Sequence, residues 1–287
     1  MPSDTWRMGL ESLIRLYPQP TCPRDDPLAF VYRYHDVWDR EVVAYLISFF
    51  AFGSVQAMVR FLESLLHALG PRPYETLRGV SLDQWPILTK GLAYRFLTSD
   101  AVAAVMDWVW SRVRRWGSLR AYFAERIQQA DSLRVFVESY ADEGRAFLTH
   151  RWPILPVRTV RFLFPRPPGS ACKRLALFLR WMTRPAPPDL GLWDFWPRPW
   201  VFVPVDVHMA FFARLWGWVS GRGITWRTVE VLGERLRCLN PDDPLRYDYA
   251  ITHLGMQGPC HRNPAYRRCG RCPLREVCPA RNSETSR

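Results

Sequence analysis

The chain has 287 residues, a formal net charge of +12, a sequence pI near 9.8 and 14 tryptophans. That length suits one large domain or two closely packed lobes with a substantial core. No apolar run reaches the roughly 20 residues that span a bilayer, so no membrane partner is expected. The positive balance favours a polyanion, nucleic acid first, because each Lys or Arg that neutralises a phosphate also releases a counterion.

Residues 1–14 are polar and mixed, with no basic flank leading into an apolar core, so no signal peptide is expected and the protein is placed in the cytoplasm, associated with the nucleoid. Helical periodicity runs through 41–69, 101–114 and 119–148, and no alternating strand run is convincing, which makes the fold class all-α. The most apolar stretch, 42–52, reads as a buried helix.

Lysine occurs only at Lys90 and Lys173; the remaining positive charge is arginine. Arginine cannot lose its proton and act as an amine nucleophile, so each surviving lysine is of interest. Lys90, in Leu88-Thr89-Lys90-Gly91, sits at the end of a short helix where a cation complements the dipole, and is read as structural. Lys173 follows Pro165-Arg166-Pro167-Pro168-Gly169-Ser170-Ala171-Cys172. The prolines block a helix, Gly169 permits a turn of unusual dihedrals, and Ser170 can cap the helix that continues through 175–182. Backbone N–H groups at such a helix start can hold a phosphate, with Arg174 beside them; a capped amphipathic helix with a solvated lysine is the alternative.

The Pro- and Trp-rich stretch 184–200 either lines a pocket with Trp193, Phe195 or Trp196 or forms a rigid surface loop. Asp206, in Val205-Asp206-Val207-His208, is predicted to be the N-cap of the next helix, a role compatible with catalysis. His208 is read as a core histidine satisfied by a hydrogen bond. Cys260, Cys269, Cys272 and Cys278 then form a C-x8-C-x2-C-x5-C array. Four thiolates this close can complete a metal or cluster shell, zinc or [4Fe-4S]; a disulfide pair is disfavoured by the tight C-x2-C step. Arg262, Arg267, Arg268, Arg271 and Arg275 surround these cysteines and can grip phosphates. Residues from 280 onward are expected to be disordered.

The order of hairpin lysine, helix-capping aspartate and four-cysteine loop resembles the helix-hairpin-helix DNA glycosylases, in particular their endonuclease III branch. The family hairpin Leu-Pro-Gly-Val-Gly-x-Lys is matched by Pro168-Gly169-Ser170-Ala171-Cys172-Lys173. Asp206 falls on the family's Val-Asp-x-His aspartate, and the tail shares its C-x2-C-x5-C ending after a slightly longer first spacer. The match covers about the C-terminal 120 residues at motif level; in the first half, 40–69 is similar in hydrophobic pattern only. Ala171 stands where a second hairpin glycine is usual, and the longer interval between lysine and aspartate looks closer to an archaeal 8-oxoguanine-type glycosylase.

The resemblance implies two helical lobes. One is 27–184, ending in the helix-hairpin-helix; the other is 1–26 plus 185–287, with an iron-sulfur loop at 260–278 and DNA lying in the groove between the lobes. It implies a [4Fe-4S] cluster on Cys260, Cys269, Cys272 and Cys278 in preference to zinc. Lys173 is the implied Schiff-base nucleophile and Asp206 its catalytic partner. Gly169, Ser170, Ala171, Arg174, Arg267, Arg268 and Arg271 would contact double-stranded DNA carrying a damaged base or abasic site. Phe52 occupies about the place of the family's wedge residue, with a core aromatic as the alternative. The implied activity is base excision with β-elimination, and the protein is expected to be a monomer. A monofunctional adenine-mismatch type glycosylase, which lacks the lysine, and a non-catalytic DNA-binding protein are the other readings.

Overall fold

The computed structural model describes residues 4–21, 26–81 and 84–284. Among these residues the chain is all-α, and its one β-type pairing is an isolated bridge between Tyr94 and Leu97. It divides into two compact units: Met1–Thr21, Pro168–Lys173 and Arg198–Arg287 form the first, and Cys22–Pro167 and Arg174–Pro197 the second. The first unit opens with α1 (Asp4–Leu16). The second carries α2 (Val37–Phe49), α3 (Val55–Leu69), α4 (Pro73–Gly79), α5 (Trp85–Leu88), α6 (Ser99–Trp116), α7 (Leu119–Gln128), α8 (Leu133–Arg151) and α9 (Val157–Leu163). It also takes all but the first residue of α10 (Lys173–Thr183). The first unit resumes with α11 (Val207–Leu215), α12 (Trp226–Leu239) and α13 (Asp248–Met256), and short 3-10 turns carry the cysteines. The expected boundary near residue 184 differs from this division at two places: the hairpin Pro168–Lys173 lies in the first unit, and the stretch up to Pro197 in the second.

In the second unit α2 is buried from Val42 to Phe49 on every face, as a helix apolar all round must be. It packs on α4, α6 and α7. Its Tyr45 hydroxyl is 2.6 Å from the Tyr140 hydroxyl and accepts the Trp108 indole N–H at 2.8 Å, so these three buried polar groups satisfy one another. Capping residues cut the long periodic runs. Ser54 caps α3 and Ser132 caps α8, so 41–69 and 119–148 each become two helices.

The Pro- and Trp-rich stretch belongs to this core. Trp193, 2 % exposed, packs on Phe123 and Phe178 and donates its indole N–H to Glu41 Oε1 at 2.7 Å. Burial pushes the Glu41 carboxyl above the ordinary range, against the opposing hydrogen bonds from Trp193 and the Arg120 backbone. Trp196 rests on Phe136, and Asp189 pairs with Arg180 and Arg184. Between the two expectations for this segment, Trp193 is core packing.

In the first unit α13 packs on α1 and α11. Glu11 of α1 accepts hydrogen bonds from Tyr247 at 2.7 Å and Arg246 at 3.0 Å. Gly9 lets α1 approach the cysteine loop, since a Cβ there would lie 2.8 Å from Leu274. Pro279–Glu284 form a 3-10 helix where disorder was expected, while 285–287 lie outside the described residues. No helix among the described residues is long and apolar enough to cross a membrane.

Candidate functional site

The hairpin is fixed by its own backbone and by α12. The Pro168 carbonyl accepts the Trp226 N–H, at the start of α12, at 3.1 Å. Ser170 Oγ accepts the Cys172 N–H at 3.1 Å, so Ser170 closes the turn and does not cap α10 directly. The residue in the left-handed region is Cys172, with φ 48°, a conformation that costs a non-glycine residue about 1–2 kcal/mol. Gly169 needs no such angle, and nothing lies within 4 Å of where its Cβ would stand, so its contribution is open space at an exposed bend. Ala171 is 4 % exposed and packed inward.

Lys173 is the first residue of α10, half-buried, with no hydrogen bond or ion pair among the described residues. Its neighbour Arg174 is different. The Arg174 guanidinium donates to the Phe49 carbonyl at 2.8 Å and to the Phe162 carbonyl, and lies over the Phe162 ring at 4.1 Å. These bonds satisfy helix-end carbonyls, so Arg174 holds the second unit together and is not presented to a phosphate.

Asp206 caps α11 as predicted. Its Oδ1 accepts the N–H groups of His208 at 2.9 Å and Met209 at 2.7 Å. No hydrogen bond falls on Oδ2 among the described residues, which leaves that oxygen available. His208 is half-buried against Gly255 on α13, and its ring makes no hydrogen bond among the described residues, in contrast to the expected satisfied core histidine. Lys173 and Asp206 fall in the same unit and are joined by no hydrogen bond or ion pair.

Cys260, Cys269, Cys272 and Cys278 line one cavity, closed by Leu254, Trp216 and Leu274. No disulfide joins them. Burial, then the neighbouring Cys272, pushes the Cys260 thiol up to about 12, with Arg267 pulling the other way and Cys278 and Cys269 adding to the rise. Burial, with Cys278 and Cys269, likewise raises Cys272 to about 11. Thiols raised in this way, as Cys260 and Cys272 are, ionise readily only beside cations, and thiolates are the donors that zinc and iron-sulfur centres take. The donor set therefore fits either group. Among the described residues no group of three or more His, Cys, Asp or Glu is placed so that it could hold a metal ion.

Of the arginines around the cysteines, Arg267 is held by the loop, donating to the carbonyls of His261 at 2.9 Å and Arg262 at 3.4 Å and lying 5.8 Å over Phe211. Arg268 and Arg271 are exposed, with no side-chain partner among the described residues.

A second surface feature was not visible in the sequence. Tyr94 and Leu97 exchange backbone hydrogen bonds at 3.0 and 2.9 Å, which makes Arg95-Phe96 a two-residue turn with Arg95 at φ 56°. Phe96 is 55 % exposed at its tip. Phe52, the expected wedge position, packs half-buried against Tyr94, Phe96 and Phe162 with centroids 4.9, 5.8 and 4.8 Å away, and so supports the turn. Gly53, at φ 88°, leaves room for the Arg95 side chain. The turn has no Gly, Asn or Pro to announce it.

Residues 26–257 match the family described as "Protein of unknown function (DUF2400)", and the chain belongs to that family. No curated protein and no solved structure matches it. The family match stops before the first of the four cysteines, so the array lies outside the shared region.

Proposed function

We propose that the protein is a DNA repair glycosylase with associated lyase activity, built on a helix-hairpin-helix and a C-terminal [4Fe-4S] loop. The observation that carries the reading is an unpaired amine, Lys173, at a helix start directly after a tight hairpin, in one unit with a carboxylate, Asp206, that keeps one oxygen free. The substrate is duplex DNA in which a damaged base pairs weakly and is extruded at lower cost.

The Lys173 amine attacks C1′ of the nucleotide, and the bond from C1′ to the base breaks with its electron pair leaving on the base. The free Asp206 oxygen stabilises the positive charge that develops on the sugar and takes the proton released by the attacking amine. The sugar ring then opens: the C1′–O4′ bond breaks, O4′ takes the proton held by Asp206, and the lysine nitrogen lone pair forms the protonated Schiff base, which acidifies the C2′ proton. Its removal expels the 3′ phosphate, nicking the strand, and hydrolysis of the imine frees Lys173. Cys260, Cys269, Cys272 and Cys278 would hold the cluster, which supplies no chemistry to these steps and fixes the basic loop. The preference for the cluster over zinc rests on the C-x2-C-x5-C ending shared with the endonuclease III branch.

The test is covalent trapping. Protein is mixed with duplex DNA carrying one abasic site, and borohydride is added, with Lys173→Ala in parallel. An adduct with the native protein and none with the variant supports the reading. Folded, iron-loaded protein that yields no adduct overturns the lyase step and leaves the monofunctional or non-catalytic readings.

A further inference from the structure

We propose that the loop between Cys260 and Cys269 recognises an unpaired nucleobase, with Tyr266 stacking on the base and Arg262, Arg268 and Arg271 holding the phosphates beside it. The proposal rests on the nucleic-acid part of the reading above and not on its chemistry. Tyr266 is 67 % exposed, among the most exposed large side chains described, yet the loop beneath it is closely hydrogen-bonded. Arg268 N–H donates to the Pro259 carbonyl at 2.8 Å and closes the loop at its base. Asn263 Oδ1 accepts the Ala265 N–H at 3.1 Å, and the Asn263 carbonyl accepts the Tyr266 N–H at 3.1 Å, which fixes the turn Pro264–Tyr266. Arg267 ties the same loop to His261 and Arg262 from the inside. The one ring contact of Tyr266 among the described residues is a perpendicular one with His261, at 5.4 Å and 87°, and most of its ring surface is exposed to solvent.

An ordered loop that holds a flat ring outward meets a stacking partner without further ordering cost. The charge around the ring says what carries that partner. Between Cys260 and Cys278 the sequence has five arginines and one acid, Glu276, and of the five only Arg267 has its guanidinium hydrogen-bonded among the described residues. An aromatic face set among free guanidinium groups matches a base linked to phosphates. A fully paired duplex hides its base faces, so the ring selects single-stranded or locally opened DNA.

The full chain is titrated with a fluorescently labelled single strand, with the matching duplex and with heparin as a polyanion that has no bases. Tyr266→Ala is expected to weaken single-strand binding about 5- to 100-fold and to leave duplex and heparin binding within about twofold. Tyr266→Phe should retain single-strand binding. Arg268→Ala with Arg271→Ala should instead weaken all three and reduce the salt slope on single strands by about 0.7 per lost contact. Equal losses of Tyr266→Ala on single strand, duplex and heparin, or no loss on the single strand, overturn the proposal. Trapping at Lys173 reports separately: an absent adduct with intact Tyr266-dependent binding removes the lyase chemistry alone.

Discussion

One pair of substitutions separates the cap that Asp206 forms from its proposed catalytic role. As an N-cap it holds two backbone N–H groups, those of His208 and Met209, through a single oxygen. Asp206→Ala removes both bonds, which costs about 1 kcal/mol and at most about 2, or a few degrees of melting temperature in a chain of this size. Asparagine caps as well as aspartate, so Asp206→Asn keeps the helix end and the fold. It removes the charge that would steady the sugar and accept a proton, and general acid-base groups of this kind contribute about 10²- to 10⁴-fold to rate. Single-turnover trapping on abasic-site DNA, read beside urea unfolding of the same preparations, gives both quantities. The expected result is native-like stability with at least about 100-fold slower trapping for Asp206→Asn. Were Asp206→Asn as fast as the native protein, Asp206 would be a cap and nothing more.

Arg174→Ala should destabilise the protein by about 1.5–3 kcal/mol through the carbonyls of Phe49 and Phe162. It should leave the salt dependence of DNA binding unchanged, and a slope reduced by about 0.9 would show a phosphate contact instead. Cys272→Ser is expected to lower iron and acid-labile sulfide together and to loosen the loop under proteolysis; a zinc-loaded, colourless native protein would refute the cluster while leaving Lys173 untouched. Gly144→Ala on α8 would put a methyl group into the Phe164 ring. Overpacking of about 1–3 kcal/mol set against about 1 kcal/mol of helix propensity gives a net loss in urea unfolding, and a gain would mean that Phe164 has room to move.

The sequence carried the helices well, because apolar periodicity is a local signal and most of these helices bury one face. It blurred their ends at Ser54 and Ser132, where a single hydroxyl decides between one long helix and two. Asp206 was readable because an N-cap is also local. Arg174 was misread for the opposite reason: its carbonyl partner at Phe49 lies 125 residues away, and no spacing rule reaches that far. Cys172 escaped because a positive φ on a buried cysteine is forced by the turn and not chosen by the residue. The Arg95-Phe96 turn escaped for the same reason.

The first unit is sewn from three separated stretches, and Glu11 finds Tyr247 across 236 residues. The second is almost one continuous run. Closing a long loop must come before its contacts give any return, so topology sets an order of events. The second unit can condense from near neighbours, whereas α1 must wait, with Leu10 and Leu13 uncovered, until α13 and the cysteine loop exist to receive it. In the cell that interval is when this chain most needs a chaperone, and mutations in α1 should show themselves as lost yield before they show as lost activity.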